Sequence, residues 1–453
     1  MGQAGILTPA CANGYTKSMI HLPSAFIERM KNQLGPEAPA FFACYEEQPR
    51  RGLRVNGLRL SPAAFVACSP FALSPTGILP EGFLLLEDAS GIGVHPYHLA
   101  GMFYMQEPSA MAAIAALDIW PGMRVLDLCA APGGKSGGIA ARLAGKGLLV
   151  ANELVFGRAK TLRYNLERLG VCHAAVTSAR PDVLCGALPG YFDAVLVDAP
   201  CSGEGMFRKD PAAIAEWSEA HVAACAQRQK AILESAAEAV REGGILVYST
   251  CTFSPEENEG VIEAFCAAHE EFSLVEMHRL YPHTSVGEGH FVAKLVRTGT
   301  DSVQQKKERQ LLLPSCKEAA YCDFCRDALE ESIPGEPVLL PDGRVLVLSQ
   351  PLPKGLERVR LLTAGVYAGD MLRGRFQPSH ALAMAAGITW RRALALEEEA
   401  LLAFLGGQEI SAPGLRGWCR VQVENWPLGF GKAANGTLKN HLPKGLRLIH
   451  ESW

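Results

Sequence analysis

The chain has 453 residues, a formal net charge of −4 at pH 7, 48% hydrophobic residues and 20% charged residues. That is the make-up of a soluble protein with a sizeable core, long enough for about three domains at roughly 150 residues each. It excludes a polybasic or low-complexity chain, so any nucleic-acid surface must be local, and no stretch supplies the ~20 uninterrupted apolar residues of a membrane span.

Residues 1–18 are small and polar and lack the basic region and apolar run of a signal peptide. They read as a disordered extension, with Met19 a plausible natural start. Fourteen cysteines are scattered without a framework pattern, which suits free thiols in a reducing cytoplasm. Cys322 and Cys325 form a lone CxxC with no second pair, so no metal is expected.

Ser24 is expected to cap a short amphipathic helix carrying Phe26, Ile27, Met30 and Leu34, which ends at Gly35. Apolar runs separated by Pro and Gly follow, and Arg50, Arg51 and Arg54 cluster before Val55-Asn56. Together, residues 19–100 read as a small α+β region. From Met123 strands and helices alternate. Strands are expected at Arg124–Leu128, Leu148–Glu153, Ala174–Thr177, Phe192–Asp198 and Ile245–Tyr248. Helices are expected at Gly134–Leu143, Gly157–Leu169 and about Glu219–Arg241. This predicts an α/β fold with a mostly parallel, doubly wound sheet over residues 101–297. Two closely spaced strands at its end, near Phe272–Met277 and Phe291–Val296, suit one antiparallel edge strand.

Residues 298–314 read as a linker, 315–372 as a small α+β domain and 373–453 as a separate C-terminal domain. From Ser411 to the end, Arg416, Arg420, Lys432, Lys439, Lys444 and Arg447 face only Glu424 and Glu451. Trp418, Trp426, Phe430 and Trp453 are interleaved with them. Cations for phosphates and rings for stacking suit RNA.

Val125-Leu-Asp-Leu-Cys-Ala-Ala-Pro-Gly-Gly-Lys-Ser136 is a strand entering a glycine turn and a helix. A Walker loop would need glycine where Cys129 stands, and GxGxxG is absent. Glu153 ends the next strand, where an acid is placed to accept from ribose hydroxyls. A nucleoside without a phosphate chain fits best, and S-adenosylmethionine answers that description. Asp198 and Cys201 end the fourth strand and Cys251 the fifth. In a parallel sheet those ends are neighbours, so two thiols and a carboxylate should meet beside the methyl donor. A thiolate adding to carbon 6 of cytosine would make carbon 5 nucleophilic. Ser254-Pro-Glu-Glu257 reads as the next helix start.

These motifs give the chain a specific likeness. Leu126-Asp-Leu-Cys-Ala-Ala-Pro-Gly-Gly-Lys135, Asp198-Ala-Pro-Cys-Ser-Gly203, Tyr248-Ser-Thr-Cys251 and Tyr104-Met-Gln-Glu-Pro-Ser109 resemble the Sun-type family of RNA 5-methylcytosine methyltransferases. The nearest likeness is to the bacterial RsmF-type enzymes of small-subunit ribosomal RNA. Arg54-Val-Asn56 is similar to the family's N-terminal RNA-binding region. Gly374–Ala383 and Leu438–Arg447 are similar to its PUA-like RNA-binding end. The resemblance implies a Rossmann-like methyltransferase domain with C-terminal RNA-binding domains, acting as a monomer on RNA. It implies Cys251 as nucleophile, Cys201 as the thiol assisting release and Asp198 at the reacting base. It assigns S-adenosylmethionine to Cys129, Ala130, Ala131, Pro132, Gly133, Gly134, Lys135, Glu153 and Asp198, and RNA contacts to Arg54, Lys439, Lys444 and Arg447. The family's usual acid or amide near the adenine is replaced here by Arg180, with Asp182 nearby. The rival readings are the same chemistry on tRNA, a DNA cytosine methyltransferase with Cys201 as nucleophile, and a non-catalytic ribosome-assembly factor.

Overall fold

The computed structural model describes residues 20–87, 91–299 and 309–448. The extension read over residues 1–18, most of the linker, Glu451 and Trp453 lie outside the described residues. The chain forms two compact units that divide between Gln48 and Pro49. In the first, helix Ser24–Leu34 buries Phe26, Met30 and Leu34, and the rings of Phe26 and Phe41 lie 6.4 Å apart. Ser24 does not cap this helix. It is already the first helical residue, with Pro23 before it and no side-chain cap.

Among the described residues, the second unit holds four sheets. The first is antiparallel, with the order Leu73–Pro75, Gly82–Leu85, Gly52–Val55, Phe103–Met105. It therefore runs past the boundary expected at residue 100.

The central sheet carries the site. Its strands are β1 (Arg124–Asp127), β2 (Leu148–Asn152), β3 (Ala174–Ser178), β4 (Phe192–Asp198), β5 (Val240–Thr250), β6 (Phe272–Leu280), β7 (His290–Arg297) and β8 (Arg360–Ala364), in the order β6-β7-β5-β4-β1-β2-β3-β8. Strands β3, β2, β1, β4 and β5 are mutually parallel, and β7 pairs antiparallel with both β5 and β6. Successive residues of the inner strands feed opposite faces, as a pleated strand requires. Leu126, Val195 and Leu246 enter one core, while Val125, Ala194 and Val247 enter the other. The apolar runs of these strands reflect burial on both faces.

Two boundaries read from the sequence are corrected. Strand β8 comes from the segment 315–372, yet it extends the central sheet by pairing antiparallel with β3. The third sheet joins Glu336–Leu339, Arg344–Leu348, Val366–Leu372 and Arg375–Pro378, so a cut between 372 and 373 would split a hairpin. The fourth sheet spans residues 393–440. Its core is continuous with that of the first: Leu53, Val55, Phe65 and Phe103 share one cluster with Leu401, Phe404, Val421 and Leu438. The described ends of this unit are thus packed together.

Arg54 also departs from expectation. It lies on the strand Gly52–Val55 and is only 1% exposed, so it cannot present its charge to RNA. Its Nε donates to Gln106 Oε1 at 2.9 Å and its Nη2 to the Gly134 carbonyl at 2.9 Å. It ties the first sheet to the helix that follows the glycine turn. Asn56 is likewise buried and donates to the carbonyls of Gly101 and Leu169.

Candidate active site

The site is built where β4 and β5 end side by side. Asp198 pairs in register with Ser249, so Cys201 and Cys251 leave adjacent strands three and two residues later. Their sulfurs are 3.3 Å apart. The two loops are stapled directly behind the thiols, where Ser202 Oγ and Thr252 Oγ1 share a hydrogen bond of 2.8 Å. The buried carboxylate of Glu257 accepts from Ser202 N at 3.0 Å and from Gln229 Nε2 at 2.8 Å. Glu204, also buried, accepts from Phe253 N at 2.8 Å and Trp217 Nε1 at 2.9 Å. Each acid reaches from one loop to the other.

That wiring corrects the helix start expected at Ser254. Residues 255–258 form a turn and the helix runs Glu259–Ala268. Glu257 is committed to the Cys201 loop, and Asn258 is bonded to Thr250 and to the Thr252 carbonyl. These long-range bonds override the local cap signal.

Asp198 is held from two sides. Lys135 Nζ donates to its Oδ2 at 2.7 Å and Ser249 Oγ to its Oδ1 at 2.8 Å. Burial alone would raise this carboxyl, but the Lys135 ammonium and these hydrogen bonds outweigh it and keep it below the usual range. Burial likewise works against the Lys135 ammonium, and Asp198 more than offsets it. The pair is therefore ionised. Cys201 is pushed well up, first by its hydrogen bond to Cys251, then by burial and by repulsion from a Cys251 thiolate. Either sulfur can act as the donor in their contact.

Two cavities meet at this point. The larger, about 800 Å³, is lined by Cys129, Ala131, Glu153, Leu154, Val155, Arg180 and Asp182 and reaches Asp198, Cys201 and Cys251. The smaller, about 160 Å³, is lined by Lys135, Asp198, Cys251 and His290, with Glu107 and Glu288. A buried cavity of roughly 150 Å³ accommodates benzene, so one six-membered ring fits here.

The larger cavity suits a nucleoside. Glu153, buried at the end of β2, presents a carboxylate to it. Leu154 and Val155, 58% and 51% exposed, offer it apolar surface. Arg180 and Asp182 both line it and form a bidentate pair with each other at 3.0 and 2.9 Å. Asp127 is turned away, bonded to Ser136 Oγ at 2.6 Å, and burial raises it to about 7. Cys129 lines the cavity, but burial and then Asp127 push its thiol up, so it is no nucleophile.

The rest of the loop acts differently from expectation. Lys135 pairs with Asp198 and faces the smaller cavity rather than the larger. Gly133 adopts φ +112°, a conformation that favours glycine. At Gly134 a Cβ would lie 2.9 Å from the Tyr104 ring. Of the loop residues expected to hold the cofactor, Ala130, Pro132, Gly133 and Gly134 line neither of these two cavities, and the glycines answer to packing within the chain.

Lys439, on the last strand of the fourth sheet, and Lys444, on the short helical turn after it, are both exposed. Lys439 stands directly opposite Lys432 across a strand pair, and Lys432 Nζ lies 5.2 Å from the centre of the Trp418 ring. Like charges facing each other are unfavourable, and a polyanion would relieve them. Arg447 is half-buried and its Nε donates to the Leu442 carbonyl at 3.1 Å, so it braces the chain end.

Sequence reasoning missed Glu204, Glu257, Glu107 and His290. The Glu-Pro-Ser segment held the one available signal. Glu107 Oε1 accepts from Glu288 N at 2.8 Å and Ser109 Oγ from Gly289 N at 3.2 Å, so this segment anchors the loop that leads into β7.

Four family profiles match consecutive stretches of the chain. They describe the N-terminal domain of 16S rRNA methyltransferase RsmF (residues 22–108), the 16S rRNA methyltransferase RsmB/F (114–296), the RsmF first C-terminal domain (323–385) and the RsmF PUA domain (391–448). Ribosomal RNA small subunit methyltransferase F of Vibrio vulnificus is 32% identical over 465 residues, covering 95% of this chain and 98% of the relative. Its counterpart from Pectobacterium atrosepticum is 31% identical over 463 residues, covering 94% and 96%. Among solved structures, a methyltransferase homologue from Pyrococcus horikoshii matches with a TM-score of 0.55 and 29% identity, over 61% of this chain and 96% of that one. NSun6 from the same organism, solved with SFG, shares the fold with a TM-score of 0.56 at 22% identity, over 62% of this chain and all of that one.

Proposed function

From the family to which this chain belongs, the RsmF-type 16S rRNA methyltransferases of the RsmB/F group, we infer that it methylates carbon 5 of cytosine in small-subunit ribosomal RNA. The observation that carries this reading is the pair of thiols 3.3 Å apart at the junction of a nucleoside-sized and a single-ring cavity.

The proposed roles follow from the geometry. Cys251, which lines the smaller cavity together with Lys135 and Asp198, adds as thiolate to carbon 6 of a cytosine held there. The new carbon–sulfur bond sends an electron pair towards carbon 5 and ring N3. As N3 takes up a proton from water, the ionised Asp198 accepts its hydrogen bond. S-adenosylmethionine, when bound in the larger cavity beside Glu153, supplies the methyl group. Carbon 5 then carries both methyl and hydrogen, and that proton must leave before the Cys251 sulfur can be expelled. Cys251 is what chiefly raises Cys201. Once its sulfur is bound to carbon and uncharged, that influence is gone. Cys201 then gives its own proton to water and takes up the carbon 5 proton; the electron pair of that C–H bond forms the carbon 5–carbon 6 double bond as the Cys251 sulfur leaves as thiolate, and N3 returns its proton to water. The acting unit is proposed to be a single chain in the cytoplasm, in keeping with the free thiols of all the described cysteines.

Bisulfite mapping of ribosomal RNA from cells with and without the protein tests the reading. A 5-methylcytosine of small-subunit RNA should vanish in its absence. An unchanged map would overturn the assignment.

Two further results are expected. Glu153→Ala removes a charged acceptor for ribose hydroxyls, which contributes about 1.5–3 kcal/mol. Calorimetry should therefore show S-adenosylmethionine binding at least about tenfold weaker, and unaltered affinity would contradict the role. Lys439→Ala and Lys444→Ala should each weaken RNA binding and lower the slope of log K against log salt by about 0.7–1, one phosphate apiece. Arg54→Met should leave that slope alone while lowering the urea midpoint, because its charge is used inside the protein. Unchanged slopes in both lysine variants would make the segment structural.

A further inference from the structure

His290 begins β7, which pairs with β5 immediately beside Cys251. It is 2% exposed, yet neither ring nitrogen has a hydrogen-bond partner. Asp198 Oδ1 lies 3.7 Å from its Nε2, beyond hydrogen-bonding range. A buried polar group left unmatched is costly and uncommon. His290 lines the smaller cavity with Lys135, Asp198 and Cys251.

The backbone leading to the ring is firmly anchored. The backbone before it is held by Glu107 and Ser109 at Glu288 N and Gly289 N. The Glu288 carboxylate accepts from Arg50 N at 3.0 Å and pairs with Arg208 at 3.1 Å. Gly289 sits at φ +117°, where a Cβ would come within 2.4 Å of the Phe253 ring. Four separate parts of the chain thus fix the approach to one imidazole. Burial, and then the Lys135 ammonium, lower His290 to about 4, so at neutral pH the ring offers one donor and one acceptor.

We propose that His290 is a base-reading residue, hydrogen-bonding the polar edge of the pyrimidine held between Asp198 and Cys251. The proposal rests on the function argued above and adds a recognition contact to it. Asp198 supplies only acceptors, whereas a cytosine edge carries both an amino donor and carbonyl or ring-nitrogen acceptors. A neutral imidazole beside the carboxylate completes the match. A base lacking complementary groups would leave the buried His290 unpaired, which is how such sites discriminate.

The test compares His290→Phe and His290→Asn with the unaltered enzyme, using a small-subunit RNA fragment and S-adenosylmethionine. Methyl transfer, cofactor affinity and thermal midpoint are measured for each. Phenylalanine keeps a ring without hydrogen bonds, and asparagine keeps a donor and an acceptor. The expected result is a fall in kcat/KM for RNA of about tenfold or more with His290→Phe, substantially recovered in His290→Asn, with cofactor affinity unchanged in both. Wild-type turnover in both variants, or equal loss in both, would overturn the proposal. So would losses that track cofactor affinity or thermal midpoint. The unaltered enzyme is the control for the underlying reading. If it transfers no methyl group to RNA cytosine, the function fails, whereas normal transfer with insensitive variants rejects only the role of His290.

Discussion

Cys251→Ala should bring methyl transfer to RNA down to background, a loss of at least ~10⁴-fold, as removal of a covalent nucleophile commonly does. Without that sulfur no bond to carbon 6 forms, and carbon 5 keeps the low reactivity of an aromatic carbon. The variant should still fold. Cys251 is only half-buried and its loop is held by other groups, with Thr252 bonded to Ser202 and Phe253 N to Glu204. S-adenosylmethionine should bind as before, because Glu153 is untouched. Methyl incorporation measured alongside cofactor calorimetry separates the cases. Substantial residual turnover would exclude Cys251 as nucleophile, and lost cofactor binding would mean the site had collapsed.

Cys201→Ala should fail in the opposite sense. Attack and methyl transfer proceed, because neither uses this thiol as a bond-forming atom. Loss of the carbon 5 proton should slow by about 10²–10⁴-fold, the usual contribution of a positioned acid or base. Protein should then accumulate covalently attached to RNA, visible on denaturing gels and dependent on S-adenosylmethionine. Normal turnover with no adduct would deny Cys201 any part in release.

The strand ends were legible in the sequence because chemistry and topology are both local there. A parallel sheet brings the ends of successive strands together, and Asp198, Cys201 and Cys251 could be placed from the apolar runs before them. What was not legible depends on partners far along the chain. Arg54 looks like a surface cation until Gln106 and Gly134, 52 and 80 residues away, close over it. Ser254-Pro255 carries good helix-start chemistry, but Glu257 and Asn258 are spent on holding the two cysteine loops together. Strand β8 joins β3 across some 180 residues, and no local pattern announces such a pairing. Lys135 sits within a cofactor motif, and only the register of β4 against the turn shows that it neutralises Asp198. His290 was hidden at the start of a mostly apolar strand, and its burial without a partner is visible only in three dimensions.

The most direct test of the account is peptide mapping, by tandem mass spectrometry, of the adduct formed by Cys201→Ala with its RNA. The account predicts a methylated cytidine attached to the sulfur of Cys251, with none recovered from Cys251→Ala. A nucleotide on Cys201 in the Cys251→Ala protein, with Cys251 unmodified in the other variant, would contradict it.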